Sequence, residues 1–297
     1  MEYVKCALCG SENNSPILTA GDYRLHTTDE EFNLVQCRQC GLIYVNPRPI
    51  REEMDKFYPK EYYNEQNQIS KLVVKLVHYM KIQNTMSFKK KGRILDVGCG
   101  DGGFILHFKK RGWEVYGIDT SEAACKLAIE KLGRNIFNCK LKDCHFPDSY
   151  FDVVTLNHVL EHMSDPNGEL REIHRILKDG GILLLSTPNI DCLQFKITRE
   201  RWFGLDLPRH LYHYSHKTIV SILKKNGFNV VKVIRPLLDL PLDFFHSLKA
   251  KWLNGGSKLL NFKILILPPL LIASMLIKLD AAWRGSIDVT AQKIPES

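Results

Sequence analysis

A glycine-rich segment behind a short apolar run is the part of the sequence best suited to hold a nucleotide-like ligand. Residues 96–103 read Asp-Val-Gly-Cys-Gly-Asp-Gly-Gly and directly follow Ile94 and Leu95. Glycines at such a point let the chain turn tightly from a strand into a helix, so a ligand can lie against the main chain. The segment therefore predicts a ligand-binding loop.

The carboxylate of Asp96 indicates which ligand the loop suits. The glycine spacing fits both the G-x-G-x-x-G pattern of dinucleotide binders and the acidic glycine loop of S-adenosylmethionine (SAM) binders. A dinucleotide brings a pyrophosphate, which the carboxylate would repel, whereas SAM carries a cationic amino group and a sulfonium. Asp119 ends the next predicted strand, where a carboxylate can bond both ribose hydroxyls. The pair favours SAM.

Alternating strands and helices must hold this loop in place. The hydrophobic pattern predicts strands at 93–97, 114–118, 151–156, 182–186, 229–234 and 286–291. It predicts helices at 69–86, 103–111, 122–132, 168–177 and 216–226, of which the first is amphipathic. Such alternation is typical of an α/β protein with a doubly wound parallel sheet.

Four further segments have the form and order of class I SAM-dependent methyltransferase motifs. They are Phe146–Val154, Asn157–His162, Leu177–Gly181 and Thr187–Asn189. Over residues 92–234 the chain resembles this family. The resemblance implies a Rossmann-like, mostly parallel sheet of seven strands that ends in a hairpin of the last two predicted strands.

The same resemblance implies SAM as the cofactor and names the residues that would bind it. They are Asp96, Gly98, Cys99, Gly100, Asp119, Asn157 and His158. Asp143 is the candidate for the acidic contact with adenine. The segment 158–162 also spells the H-x-x-E-H pattern of zinc proteases, but it lies inside a methyltransferase motif, and we interpret that match as chance.

Two C-x-x-C-G turns near the N-terminus predict a metal site. Each such turn presents two thiolates, and two turns complete a tetrahedral zinc site. The four ligands would be Cys6, Cys9, Cys37 and Cys40, within a small zinc ribbon over residues 1–45. A redox pair is the alternative. The remaining cysteines lack this spacing and are expected to be small buried side chains: Cys99, Cys125, Cys139, Cys144 and Cys192.

The cysteine segment and the Pro- and Tyr-rich stretch behind it resemble a methyltransferase subgroup that modifies sugars and surface glycans. The resemblance implies a linear division into a zinc ribbon (1–45), a connector with an amphipathic helix (46–91), a SAM-binding core (92–234), an insertion (235–285) and a closing strand with a tail (286–297). We therefore expect methyl transfer to a sugar, a nucleotide sugar or a lipid-linked glycan intermediate in polysaccharide biosynthesis.

A cluster of ionisable and aromatic side chains at 201–215 is the candidate acceptor site, interpreted as a loop without helical or strand periodicity. His210 or His213 can act as a base, because histidine titrates near neutrality. Arg209 can bond a phosphate or carboxylate, and Tyr212 is the second predicted acceptor ligand. Aromatic packing against the sheet is the alternative interpretation.

The composition indicates which classes of partner the protein could bind. The 297 residues include 41 Lys and Arg against 33 Asp and Glu, a net charge of +8 that favours an anionic partner. An RNA methyltransferase and a SAM-fold protein without catalysis are the alternative functions. The segment after the 151–156 strand lacks the Asn/Asp-Pro-Pro-aromatic form of amino-methylating nucleic-acid enzymes. This counts against amino methylation but not against ribose or carbon methylation, and a nucleic-acid partner is not the leading expectation. Since no apolar run follows a basic start, we expect a cytoplasmic protein.

An apolar run at 264–277 with basic residues around it predicts contact with an anionic membrane surface. It contains Pro268 and Pro269 and is too short to cross a bilayer as a helix. Shallow burial of this insertion would place the protein peripherally on the cytoplasmic membrane face. A buried helix pair or a homodimer contact is the alternative.

Overall fold

The fold is that of a computed structural model, which describes residues 1–59, 68–236 and 285–295. Its strands are β1 (Asn14–Gly21), β2 (Glu31–Cys37), β3 (Ile43–Val45), β4 (Arg93–Val97), β5 (Glu114–Ile118), β6 (Ile136–Phe137), β7 (Phe151–Asn157), β8 (Leu177–Pro188), β9 (Tyr212–His213), β10 (Phe228–Ile234) and β11 (Ser286–Lys293). Its helices are α1 (Gln68–Phe88), α2 (Gly103–Lys109), α3 (Glu122–Leu132), α4 (Pro166–Ile176), α5 (Leu193–Thr198) and α6 (His216–Lys225).

The chain forms two compact units, each built from separate stretches of sequence. Unit 1 comprises Met1–Pro59, Pro188–Thr218 and Ile234–Ile287. Unit 2 comprises Lys60–Thr187, Ile219–Val233 and Asp288–Ser297. This division is discontinuous, unlike the linear succession of domains expected from the sequence, because the stretch after β8 joins the N-terminal residues.

A seven-stranded sheet confirms the predicted α/β fold. Its strand order is β10-β11-β8-β7-β4-β5-β6, and the pairs β4–β5, β4–β7, β5–β6 and β7–β8 are parallel. The two closing strands, β10 and β11, are neighbours as expected. The two-residue strand β6 is the one member that the hydrophobic pattern did not predict, because two residues carry no periodicity.

Apolar strands explain the core of unit 2. Parallel strands covered on both faces are apolar along their length, as in β4, where Ile94 and Leu95 are fully buried. Helices α2 and α3 pack their apolar faces on this sheet through Phe104, Phe108 and Ala128. The predicted N-cap of α3 is confirmed, since the Ser121 side chain accepts a hydrogen bond from the main-chain N–H of Ala124.

Unit 1 contains a four-stranded sheet of order β1-β2-β3-β9. The last strand pairs antiparallel with β3, Tyr212 opposite Tyr44 and His213 opposite Ile43. The interpretation of 201–215 as an irregular loop was therefore wrong at these two residues. A strand this short forms because it pairs with a strand distant in sequence, so the local hydrophobic pattern does not predict it.

The core of unit 1 joins the N-terminal strands to the segment after β8. Phe32, Leu34 and Phe57 pack in one cluster with Phe195 and Trp202. Trp202 is 3% exposed. Its ring, which the sequence placed in the acceptor cluster, belongs to this core, because burying a large aromatic side chain is more favourable than leaving it in water.

A buried ion network crosses the same core. The guanidinium of Arg209 is fully buried and donates to both carboxylate oxygens of Asp22 at 2.6 and 2.9 Å, to Asp206 Oδ1 at 2.8 Å and to the carbonyl of Phe57 at 3.0 Å. Arg209 was predicted as an acceptor ligand. The structure instead places its charge between two carboxylates, where the pairing offsets the cost of burial.

These contacts make unit 1 sensitive to acid. Burial alone would raise the pKa of Asp22, but hydrogen bonds from Arg209 and Thr27 hold that pKa well below its usual range. The pKa of Asp206 is also lowered against the effect of burial, by His210, Arg24 and Arg209. A lowered carboxyl pKa stabilises the fold above about pH 4, and that stabilisation is lost as the pH falls further.

The predicted insertion at 235–285 lies almost wholly outside the described residues, as does part of the predicted connector. Its membrane contact therefore stays an expectation. Among the residues that the structure describes, no helix combines the length and the apolar character needed to cross a membrane.

Replacing Arg209 with alanine is expected to destabilise the protein by about 3–5 kcal/mol, because two buried carboxylates lose their counter-charge. Urea unfolding followed by fluorescence measures this loss. The matched control is Arg171→Ala, at an exposed position of α4, which is expected to change the unfolding free energy by less than about 0.5 kcal/mol. Equal losses in the two variants would show that the ion network is not stabilising.

Candidate functional site

The glycine loop leaves β4 in a left-handed backbone conformation that favours glycine. Gly98 and Gly100 have φ values of 72° and 53°. A Cβ on Gly98 would lie 2.5 Å from Cγ2 of Val159, whereas a Cβ on Gly100 would meet nothing within 4 Å. Gly98 thus permits close packing beneath the loop, and Gly100 borders open space in which a ligand fits against the main chain.

The carboxylate of Asp119 fixes the rim of this loop. Its Oδ2 accepts a hydrogen bond from the main-chain N–H of Gly100 at 2.8 Å, and its Oδ1 accepts one from Ser121 at 2.8 Å. Asp119 is half-buried. A carboxylate has about four acceptor positions, so these two bonds orient it and leave capacity for the two ribose hydroxyls that the sequence assigned to it.

Asp96 lies beneath the loop and is 2% exposed. Its Oδ1 accepts hydrogen bonds from the Thr155 hydroxyl at 2.5 Å and from the Asn157 amide at 3.4 Å. Burial raises the pKa of this carboxyl group to about 7, against the opposing effect of these two donors and of Lys81. A cation bound next to Asp96 would favour its ionised form, which suits the amino group and sulfonium of SAM.

Lys81 of α1 holds the other side of Asn157. Its Nζ donates to Asn157 Oδ1 at 3.1 Å and to the Ser186 hydroxyl at 2.7 Å, and it lies 3.6 Å from Asp288 Oδ1. The Asn157 amide is thereby fixed between a carboxylate and an ammonium group. Sequence analysis missed Lys81, because one lysine among several on an amphipathic helix carries no distinguishing signal.

The structure brings most of the predicted cofactor residues together. Hydrogen bonds connect Gly100 to Asp119 and Asp96 to Asn157. Gly98 lies between Asp96 and Gly100 in the sequence. Cys99 is 6% exposed, and its side chain lies against Gly117, where an added Cβ would be 2.8 Å from the Cys99 sulfur. Cys99 therefore contributes its main chain to the loop, and its thiol packs inside.

A family model described as a methyltransferase domain matches residues 63–233, more than half of the chain. The chain belongs to the SAM-dependent methyltransferases. This membership agrees with the acidic glycine loop, the Asp119 carboxylate at the loop rim and the Asn157 amide at the end of β7.

Curated relatives of this methyltransferase include two kinds of quinone enzyme. It is 30% identical to a demethylmenaquinone methyltransferase of Staphylococcus carnosus, over 65% of this chain and 84% of the relative. It is 40% identical to a ubiquinone biosynthesis O-methyltransferase of Alkalilimnicola ehrlichii over 33% of this chain, and it spans 42% of that relative's length.

A solved structure shares the fold. The crystal structure of a SAM-dependent methyltransferase from Archaeoglobus fulgidus matches 74% of this chain and 94% of its own, with a TM-score of 0.52 and 22% sequence identity. This likeness shows the methyltransferase fold and leaves the acceptor open.

The segment proposed to meet adenine contains a disulfide. Cys139 and Cys144 are bonded across the short 3₁₀ helix Leu141–Asp143, with their Cα atoms 6.1 Å apart, and Asp143 is exposed. The prediction of buried free thiols was wrong for these two cysteines, because the helical turn brings together residues whose spacing gave no signal. It is confirmed for the three others, which are buried and not disulfide-bonded: Cys99, Cys125 and Cys192.

The four N-terminal cysteines meet as predicted. The sulfur atoms of Cys6 and Cys40 lie 3.4 Å apart, as do those of Cys9 and Cys37, and all four lie within 4.8 Å of one another. Four thiolates around one zinc ion at about 2.3 Å stand roughly 3.8 Å apart, so the observed cluster fits the geometry of such a site.

The three predicted residues around β9 lie in unit 1 and are buried. His210 is 2.9 Å from the carbonyl of Gly204 through Nδ1, and its Nε2 is 3.8 Å from Asp206. His213 lies in β9, and the hydroxyl of Tyr212 accepts a hydrogen bond from Arg48 at 3.1 Å. Catalysis by His210 and His213 and acceptor binding by Tyr212 stay predictions.

SAM affinity is expected to rise several-fold between about pH 6 and about pH 7.5 and then to level off, because Asp96 must lose its proton to meet the cation. Calorimetry across this range measures it. Asp96→Asn is expected to bind SAM more weakly and without this pH dependence, and Asp191→Asn, at an exposed carboxylate, to match the wild type. An unchanged pH dependence in Asp96→Asn would refute the role of Asp96.

Proposed function

We propose that this methyltransferase acts on a sugar, a nucleotide sugar or a lipid-linked glycan intermediate, as part of polysaccharide biosynthesis. The supporting observation is a pair of arginine–aromatic contacts in unit 1. The guanidinium of Arg24 lies 4.5 Å from the ring centre of Phe203, and that of Arg201 lies 4.2 Å from the ring centre of Tyr23. An aromatic ring holds the guanidinium that stacks on it in one orientation, and an arginine held in this way suits the diphosphate of a nucleotide sugar.

Chain order supports the same proposal. In open α/β sheets, ligands bind beyond the carboxyl ends of the strands. The residues that follow the carboxyl end of β8, Pro188–Thr218, belong to unit 1 and include both Arg201 and Phe203. We therefore propose that residues of this segment recognise the acceptor.

A quinone-type acceptor is the second candidate. It rests on the names of the relatives, which are a demethylmenaquinone methyltransferase and a ubiquinone biosynthesis O-methyltransferase. Both matches cover part of the chain, and the second covers less than half of the relative. The arginine–aromatic contacts of unit 1 favour a sugar acceptor over a quinone.

The acceptor is tested by the release of S-adenosylhomocysteine with nucleoside diphosphate sugars, a short-tailed demethylmenaquinone and total RNA. We expect release with a nucleotide sugar, and Arg201→Ala is expected to raise KM for it about tenfold while the affinity for SAM is unchanged. The matched control is Arg171→Ala. Release with the quinone alone would favour the second candidate, and salt-sensitive release with RNA alone would favour an RNA acceptor.

We further propose that the four-cysteine cluster binds one structural zinc ion. Metal analysis of protein purified without added zinc is expected to find about one ion per chain, because four thiolates bind zinc tightly. Cys37→Ser is expected to lose the metal and to lower the unfolding temperature. Cys192→Ser, at a cysteine outside the cluster, is the control and keeps the metal. Well-folded wild-type protein without zinc would refute the site.

A further inference from the structure

The turn that follows β7 presents one histidine to solvent and buries one carboxylate. His158 has a φ of 55°, which is uncommon for a residue other than glycine, and its side chain is 45% exposed. Three residues later, Glu161 lies in the 3₁₀ helix Leu160–His162 and is fully buried. A histidine held in this uncommon conformation at the end of a strand points to a functional role.

This turn is in contact with the loop that binds the methyl donor. Val159, next to His158, packs so closely on the glycine loop that a Cβ on Gly98 would overlap it. On the other side of His158, the Asn157 amide is hydrogen-bonded to Asp96. His158 therefore stands beside the glycine loop, directly after the carboxyl end of β7.

The buried carboxylate of Glu161 is directed at the histidine ring. His158 Nδ1 lies 3.4 Å from Glu161 Oε1. Neither carboxylate oxygen of Glu161 has a hydrogen bond within standard limits from the part of the chain that the structure describes. Burial raises the pKa of Glu161, yet His158 and His162 together hold it below its usual range, so the group is ionised at neutral pH. An ionised carboxylate in this position requires a cationic or proton-donating neighbour.

We propose that His158 is the general base that removes the acceptor's proton and that Glu161 is the positioning residue that orients its ring. The assignment rests on the proposed function, with a hydroxyl as the acceptor group. With its proton on Nδ1, toward Glu161, the neutral ring is a base at Nε2. The arrangement is that of a histidine base whose ring is oriented by a buried carboxylate.

The step balances without a further reactant. The acceptor oxygen forms a bond to the methyl carbon of SAM while the bond from that carbon to sulfur breaks. The sulfur keeps the electron pair and leaves as neutral S-adenosylhomocysteine. The hydroxyl proton moves to Nε2 of His158, and Glu161 stabilises the resulting imidazolium.

Other ionisable groups near the end of β7 also influence the protonation of His158. They are His162 on the same turn, Asp96 from β4, Lys81 from α1 and Asp288 from β11. Lys81 opposes the formation of a second cation, and the carboxylates favour it. Glu161 Oε1 lies 3.4 Å from Nδ1 of the imidazole, so removing this carboxylate is expected to have a large effect.

The kinetic test uses His158→Asn, because asparagine tolerates the same left-handed backbone. With the acceptor that the wild type turns over fastest, kcat is expected to fall about 10²-fold to 10⁴-fold while the affinity for SAM stays within about twofold. His158→Gly is expected to regain rate with added imidazole. His216→Gln, at an exposed histidine that starts α6, is the control with unchanged rate. A retained rate in His158→Asn, or a loss explained by weaker SAM binding, overturns the base assignment.

The test of Glu161 does not require the acceptor. Nuclear magnetic resonance of the full-length protein follows the His158 imidazole through its titration in the wild type and in Glu161→Gln. We expect its midpoint to move to lower pH in the variant, because the imidazolium loses its carboxylate partner, and we expect the acid limb of the kcat profile to move with it. Equal midpoints overturn the His158–Glu161 pair, even if the proposed acceptor class holds. A shifted midpoint without turnover of any sugar supports the pair and refutes the acceptor class.

Discussion

The burial of one carboxylate, that of Asp96, is the constraint on which unit 2 depends. An ionisable group inside a sheet is costly unless neighbouring groups bond it. Thr155 and Asn157 of β7 meet this need, and Lys81 then connects Asn157 to Ser186 of β8 and to Asp288 of β11. The polar end of β4 therefore connects to β7, β8, β11 and the middle of α1, and it positions the glycine loop.

Sequence reasoning predicted the part of the fold that local patterns determine. Apolar runs and cap residues identified the long strands and helices of unit 2, because burial on both faces and helix capping leave marks within a few residues. The strand β9 left no such mark, since its pairing depends on Tyr44 and Ile43. The Cys139–Cys144 bond and the contact of Lys81 with Asn157 depend likewise on the tertiary fold.

Chemistry-bearing residue types proved a weaker guide than strand ends. Arg209 and His210 were chosen for what their side chains can do, yet the fold uses both inside unit 1, because Asp22 and Asp206 require a buried counter-charge. Asp96 and Asp119 were identified from the glycine loop and the end of the next strand, Asn157 from the family resemblance, and they meet around one loop. Glu161 shows the reverse case: the H-x-x-E-H pattern was visible in the sequence, but the roles proposed for His158 and Glu161 rest on burial and backbone conformation.

The discontinuity of unit 1 has a consequence for biosynthesis. During translation the N-terminal strands emerge first, but β3 cannot pair with β9, and Asp22 cannot meet Arg209, until the ribosome has made residues 209–213. All of the parallel strands of unit 2 before β10 are synthesised in this interval. Until then, apolar side chains of the N-terminal segment such as Phe32 and Leu34 cannot pack against the later residues of their core. Contacts this distant in sequence form slowly. A fragment that ends after the cysteine turns would lack part of its sheet and its core. We therefore do not expect the N-terminal residues alone to fold when they are fused to another protein.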